Sequence, residues 1–229
     1  MKAKIFTTLI FALLPLLSFA KTITVFPVFN NIAEVHEARF YAKSGNNYEA
    51  LKGSYGSIGE KGISINCEET LEIFTKNGDD YVPAGTVNVP ENAKKCGLII
   101  LPQNKRHEFA AHLFEIDQSK LAAGTLYLLN LTQKSLRGTI DGKDLKIIVP
   151  ANEQAKYFTV PTGTGVDATI RLVSAAKSKE EAKRTWRYGN NLYLAPSEAY
   201  LLVVAGTGSQ TENGRDINEV LIFRWTKKK

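Results

Sequence analysis

The chain has 229 residues, 44% of them hydrophobic and 23% charged, with 29 Lys and Arg against 23 Asp and Glu. That is apolar material for one large domain or two small ones. The formal surplus of +6 is modest, and no basic stripe is interleaved with aromatics, which excludes nucleic acid as a partner class.

Residues 1–20 read as a secretory signal peptide. "MKAK" is a short basic start, and an apolar run containing Pro15 follows it. Ser18 and Ala20 put small residues at the −3 and −1 positions of a cut before Lys21. The run is too short to span a bilayer comfortably, and no cysteine follows it closely for lipid attachment. No later stretch is long and apolar enough to cross a membrane. The expected product is an exported chain of 209 residues, periplasmic or extracellular, with a charge of +4 once Lys2 and Lys4 leave. Much of that surplus sits in Lys227, Lys228 and Lys229.

Short runs rich in β-branched and aromatic residues then follow one another. They cover 22–29, 38–43, 62–67, 71–76, 97–102, 107–116, 125–131, 145–150, 156–160, 168–174, 192–196, 199–206 and 219–225. Gly, Asn, Asp or Pro bound them, as strands require. "KNGDD" at 76–80 and "YGNNL" at 188–192 supply turn residues. The segment 174–184 is the one helical candidate, and without an apolar stripe it reads as a loop or a short exposed turn of helix.

The clearest local signal lies at 136–147. A two-residue loop at Asp141-Gly142 sets Ile140 opposite Lys143, Gly138 opposite Leu145 and Leu136 opposite Ile147. Those six share one side of the sheet, and Arg137, Thr139, Asp144 and Lys146 share the other. Turn chemistry and apolar sorting demand the same register.

Many short strands without amphipathic helices predict an all-β chain of sandwich or barrel type. The number of strands exceeds one standard sandwich. Two small antiparallel β-sandwiches are therefore expected, over 21–104 and 105–229, meeting at the polar stretch "PQNKR"; one large sandwich is the alternative. "PAGTVNV" (83–89) and "AAGTLYLL" (122–129) look faintly alike.

Cys67 and Cys96 are the only cysteines. In an exported chain an even pair predicts one disulfide, which would add about 3–4 kcal/mol in the chain-entropy picture. Two free thiols, or half a metal site, are the alternatives.

No convincing catalytic constellation emerges. "SAAK" at 174–177 has Ser-x-x-Lys spacing, and "KSG" at 43–45 resembles the Lys-Thr-Gly strand of penicillin-recognising enzymes. The chain order is wrong, and the serine closes a strand instead of opening a helix. "GTGVD" (163–167) and "AGTGSQ" (205–210) read as turns between strands. His107 and His112 fall on opposite faces of one strand, and His36 is remote, so no metal or cofactor is expected.

Glu60, Glu68, Glu69, Glu72, Asp79 and Asp80 read as solvated turn charges. A hydrolase reading needs Glu68 or Asp79 paired across a cleft. Asn130-Leu131-Thr132 is a glycosylation sequon with meaning only in a eukaryotic secretory route. Trp186, Tyr188 and Tyr193, with Tyr200 and Trp225, are candidates to stack on sugar rings or to fill core and edge.

"GTLYLLNLTQKSLRGTIDGKDLKIIVP" (124–150) resembles a recurring pattern in uncharacterised exported bacterial proteins with immunoglobulin-like modules. There a strand ending in Asn-Leu-Ser/Thr leads to a hairpin and then to a strand closing near Pro. The matching residues are Gly124, Asn130, Leu131, Thr132, Gly142 and Pro150. The resemblance covers about a tenth of the chain. It implies that the two sandwiches are immunoglobulin-like modules in tandem, and it implies no activity.

The expected function is therefore a non-enzymatic structural or interaction protein of the bacterial envelope. It would bind partners through sandwich edges or loops, a protein first and a polysaccharide second. The alternatives are a periplasmic pilus-assembly chaperone, whose paired prolines "VNVPENAKKCGLIILP" lacks, and a carbohydrate-binding module.

Overall fold

A computed structural model of the protein describes residues 20–29, 39–59, 61–102, 109–116, 123–132, 134–140, 143–144, 156–159, 166–174, 176, 178–180, 185, 187–195, 197–210 and 216–226. The protein is all-β. Its first nine strands are β1 (Lys21–Phe29), β2 (Phe40–Ser44), β3 (Asn47–Ala50), β4 (Ser54–Tyr55), β5 (Ile63–Cys67), β6 (Thr70–Asn77), β7 (Asp80–Asn88), β8 (Lys95–Pro102) and β9 (Phe109–Glu115). Eight more follow: β10 (Thr125–Asn130), β11 (Leu136–Ile140), β12 (Lys143–Asp144), β13 (Lys156–Thr159), β14 (Val166–Ser174), β15 (Arg187–Leu194), β16 (Glu198–Gln210) and β17 (Asp216–Thr226). Among the described residues no helix is long and apolar enough to cross a membrane.

The described strands form four sheets. The first inner sheet runs β4-β1-β8-β9, with β5 on the same flank of β1 as β4, and the first outer sheet runs β3-β2-β6-β7. The second inner sheet runs β13-β10-β16-β17, and the second outer sheet runs β12-β11-β14-β15. Apart from β4, one connectivity occurs twice. In each half the opening strand lies parallel to the strand that begins the last hairpin, β1 to β8 and β10 to β16. The opening strand also takes an antiparallel partner, β5 or β13, on its other flank. Two hairpins cross to the outer sheet and pair with each other, β2 with β6 and β11 with β14. β9 lies beyond the junction expected at 104 and still completes the first inner sheet, in register with β8 from Pro102–Phe109 to Cys96–Glu115.

Among the described residues, three apolar cores separate the sheets. Ile23 and Val25 of β1 join Phe40, Ala42, Leu71 and Ile73 between the first outer and inner sheets. Leu126 and Leu128 of β10 join Leu136, Ile140, Ile170 and Leu172 between the second inner and outer sheets. The middle core lies between the two inner sheets. Phe26, Val28, Ile99 and Leu101 meet Tyr127, Leu129, Leu201 and Val203 there. Alternation along a strand sends successive side chains to opposite faces. β8 therefore gives Leu98 and Ile100 to one core and Ile99 and Leu101 to the next. Strands buried on both faces read as unbroken apolar runs and are the ones that accept parallel partners. "GLIILP", "TLYLLN" and "AYLLVVA" have that texture.

Backbone bonds reinforce the middle core. The segment after β4 leaves the first inner sheet, where Gly56 N donates to Phe29 O at 3.1 Å. It then joins β17, where Ile58 N donates to Arg224 O at 2.9 Å and Arg224 N donates to Gly56 O at 3.1 Å. Ile58 enters the middle core. Tyr127 Oη donates to Glu115 O at 3.1 Å, tying β10 to the end of β9. Gly97 accommodates the Phe114 ring of its cross-strand partner, which lies where a Cβ would stand.

The expected hairpin at 136–144 has the register its turn requires, Ile140 opposite Lys143 and Thr139 opposite Asp144. Leu145, Lys146 and Ile147 lie outside the described residues. The sequon belongs to the crossing from β10 to β11. Asn130 is fully buried, accepts from Thr132 N and Oγ1 at 3.0 and 2.7 Å, and donates to Lys134 O at 2.8 Å. An amide enclosed in this way cannot carry a glycan. "AGTGSQ", expected as a turn, is instead the end of β16, with a register irregularity between Gly206 and Gln210.

The expected disulfide is absent. Cys67 and Cys96 are both free and buried in the first core. Cys67 pairs with Lys21 across one edge of β1, and Cys96 pairs with Val25 across the other. β1 runs between them. Two strand spacings, about 9–10 Å, exceed the Cα separation of about 7 Å that a disulfide tolerates. Burial pushes both thiols up, Cys96 to about 11, so neither is a ready thiolate. Unreduced protein is expected to take up two equivalents of alkylating agent after denaturation and almost none while folded. Intact mass spectrometry showing no uptake after denaturation would contradict the placement of β1.

Candidate functional site

The first outer sheet faces solvent with an unusual concentration of rings. Two hairpins build it, and each has a two-residue loop: Gly45-Asn46 between Ser44 and Asn47, and Gly78-Asp79 between Asn77 and Asp80. Gly45 and Gly78 have φ of 59° and 62°, a conformation that glycine adopts at no steric cost. The two hairpins share a pattern. "KSGNNY" (43–48) and "KNGDDY" (76–81) both read Lys-x-Gly-x-x-Tyr. In each, the tight loop sets lysine opposite tyrosine, Lys43 against Tyr48 and Lys76 against Tyr81.

Phe40, Ala42, Leu71 and Ile73 turn inward to the first core, so Tyr41, Lys43, Glu72, Phe74 and Lys76 turn outward. The rings converge there. Tyr48 and Tyr81, from the two edge strands, stack with centroids 3.9 Å apart and planes 6° from parallel. Phe74 meets Tyr48 edge-on at 4.9 Å, and Tyr41 meets Tyr81 edge-on at 5.0 Å. Lys76 Nζ lies 5.7 Å from the Tyr81 centroid, within cation–π range. The cluster explains why Phe74 is only 9% exposed while belonging to none of the three cores. Tyr48 remains 37% exposed at its rim.

A cleft of about 460 Å³ opens at the end of the sandwich where the β2–β3 turn meets the end of β5. Lys43, Asn46, Asn66, Glu68, Thr70 and Glu72 line it. Lys43 Nζ stands 3.1 Å from Glu72 Oε2, both side chains about half exposed. That hydrogen bond and charge hold the lysine pKa above its ordinary value. Asn66 is anchored from three sides. Thr22 Oγ1 donates to its Oδ1 at 2.7 Å, its own N donates to Ser44 Oγ at 2.9 Å, and Gly45 N donates to its carbonyl at 3.2 Å. Its side-chain NH2 has no partner among the described residues. Lys21 Nζ pins the start of β1, donating to the carbonyls of Val89, Pro90 and Glu91 at 3.4, 2.7 and 3.2 Å.

Most of the residues singled out in the sequence lie elsewhere. Tyr188 and Tyr193 occupy opposite faces of β15: Tyr188 packs against the third core, and Tyr193 is 61% exposed. Trp186 and the side chain of Trp225 lie outside the described residues. Tyr200 is a buried corner tie, accepting from Ala195 N at 2.8 Å and donating to Glu198 Oε2 at 2.7 Å, and burial raises its pKa. Of the two hydrolase candidates, Glu68 lines the cleft. Asp79 sits in the β6–β7 turn, 3.9 Å from Lys76. No metal-holding cluster occurs among the described residues. Ser174 ends β14, buried and with no hydroxyl partner among the described residues, while Lys177, His36 and His107 lie outside them. The tyrosine cluster does not stand out along the sequence, because its members sit one per strand. The repeated Lys-x-Gly-x-x-Tyr was the available signal.

No family model and no curated protein matches this sequence.

His112 shares the face of Phe114 on β9 and stands opposite Ile99, on the side of the middle core. Burial lowers its pKa below the ordinary 6.5. The unfolded chain therefore takes up this proton before the folded protein does. Stability is complete above the unfolded value and declines as pH falls through 6.5 toward the depressed folded one. Urea midpoints measured downward from neutral pH should fall, and His112→Leu should flatten the upper part of that decline, above the carboxylate range. An unchanged slope in the variant would refute the assignment.

Proposed function

We propose that the chain is an exported, non-enzymatic binding protein of the bacterial envelope, built of two immunoglobulin-like modules that present their outer sheets to partners. The module reading rests on pairing. In an immunoglobulin sandwich strands B and E pair in one sheet while C, F and G pair in the other, and variable-type domains add C′ beside C. β1 with β5, and β2 with β3, β6 and β7, occupy those relations. β10 with β13, and β11 with β12, β14 and β15, repeat them. The flank of B that strand A would hold is taken by a strand from the end of the module, running parallel.

The observation that carries the binding role is the convergence of two Lys-x-Gly-x-x-Tyr hairpins on one solvent-facing sheet, beside a polar cleft. Rings, amides and an ion pair recognise a partner without any reacting group. Export rests on the small residues before Lys21, which is where β1 begins.

Purified protein is expected to co-sediment saturably with washed bacterial envelopes. The double variant Tyr48→Ser, Tyr81→Ser should lose about tenfold in affinity with its circular dichroism unchanged. Equal sedimentation of the two proteins would overturn the site, and no saturable binding at all would overturn the function.

A further inference from the structure

We infer that the cleft between the β2–β3 turn and the end of β5 is a carbohydrate subsite, selective for neutral or N-acetylated glycan chains over acidic ones. The inference rests on the binding role proposed above and names the ligand class of the same face.

A pyranose ring offers hydroxyls, which both donate and accept, and patches of C–H that settle against aromatic rims. The cleft supplies the polar counterparts, and the neighbouring hairpin the aromatic one. Asn46 and Asn66 provide amides, Thr70 a hydroxyl, Glu68 and Glu72 acceptors, and Lys43 a donor. Tyr48 is not part of the lining; it stands across the hairpin from the lining residue Lys43 and is partly exposed, so a glycan chain that extends out of the cleft along the sheet meets its rim. At about 460 Å³ the volume falls within the ordinary range for small-ligand sites.

The polar groups are held before any ligand arrives. Asn66 is fixed through Thr22, Ser44 and Gly45, and the Lys43–Glu72 pair is fixed at 3.1 Å. Preorganisation of this kind lowers the ordering cost of binding. A protein anchor would need an apolar slot, and the lining side chains, Ala20 and Cys67 apart, are amide, hydroxyl and charge.

Charge sets the selectivity. Glu68 and Glu72 face Lys43, and in the exported chain the α-ammonium of Lys21 takes the place of Ala20 at the edge of the cleft, so the site has no surplus of positive charge. A uronic or sulfated chain would find no cationic surplus to pair with and would meet the two carboxylates, while a neutral hexose or N-acetylhexosamine chain needs no such surplus.

The test uses the full folded protein with isotopic labelling and three probes: mannohexaose, the N-acetylglucosamine hexamer, and a heparin hexasaccharide. Saturable amide shifts at Asn46, Asn66 and Thr70 are expected with at least one of the first two and not with heparin. Tyr48→Ala and Glu72→Gln should each weaken the binding by about tenfold, while Arg187→Ala on the second outer sheet should leave it unchanged. Glu72→Gln keeps the shape of the side chain and serves where Tyr48→Ala perturbs the sheet. Shifts with heparin alone would overturn the charge argument. Shifts confined to another surface would overturn the subsite. If no glycan binds while envelope sedimentation persists and is protease-sensitive, the ligand class is wrong and the binding role stands. If sedimentation is absent as well, both fall together.

Discussion

The fold depends on burying the two inner sheets on both faces. A sandwich ordinarily leaves one side of each sheet wet. Here β1, β8, β10 and β16 carry apolar side chains on successive residues, so a single sandwich would leave half of them in water. Each fully buried aliphatic or aromatic side chain contributes about 1.5–3 kcal/mol. Phe26, Val28, Ile99, Leu101, Tyr127, Leu129, Leu201 and Val203 all gain that only by facing one another. The result is four stacked layers. Parallel pairing in the inner sheets belongs to the same constraint, because parallel strands are found where both faces are covered.

That constraint also decides where a site can be. Among the described residues the central strands of the inner sheets are covered on both faces, which leaves the outer sheets, the turns and the edges as places for a site. In the first outer sheet the inward side chains fill the core. The outward ones bear no packing load from another sheet, and they are where the tyrosines and the Lys43–Glu72 pair occur. Two glycines with positive φ make the hairpins tight enough to set each lysine against its tyrosine. The Asn130 crossing and the Tyr200 corner do different work. They satisfy backbone groups where the chain passes between layers, so their polar atoms are consumed internally.

The parts of the fold legible in the sequence were those where independent local signals agreed. The 136–144 hairpin combined a turn dipeptide with apolar sorting, and its register followed. β7 was not legible, since Pro83 and Gly85 argue against a strand. It is tolerated because β7 is an edge and carries a bulge, with Phe74 opposite Pro83 and Ile73 opposite Gly85. The disulfide expectation failed because cysteine parity carries no information about which strand lies between two cysteines. The aromatic residues near the C-terminus looked clustered in sequence, yet the period of two puts Tyr188 and Tyr193 on opposite faces. Tyr41, Tyr48, Phe74 and Tyr81 looked scattered and are in contact, because proximity across a sheet is set by register and not by spacing along the chain.

The decisive question is whether the middle core joins the two halves into one cooperative unit. Native-state hydrogen exchange on Leu201→Ala answers it most directly, by comparing peptides of β8 in the first half with peptides of β16 in the second. Removing a fully buried side chain from that core costs about 2–5 kcal/mol. If the inner sheets stand or fall together, β8 loses as much protection as β16, although the substitution lies in the other half. Protection in β8 equal to that of the unsubstituted protein would contradict the account.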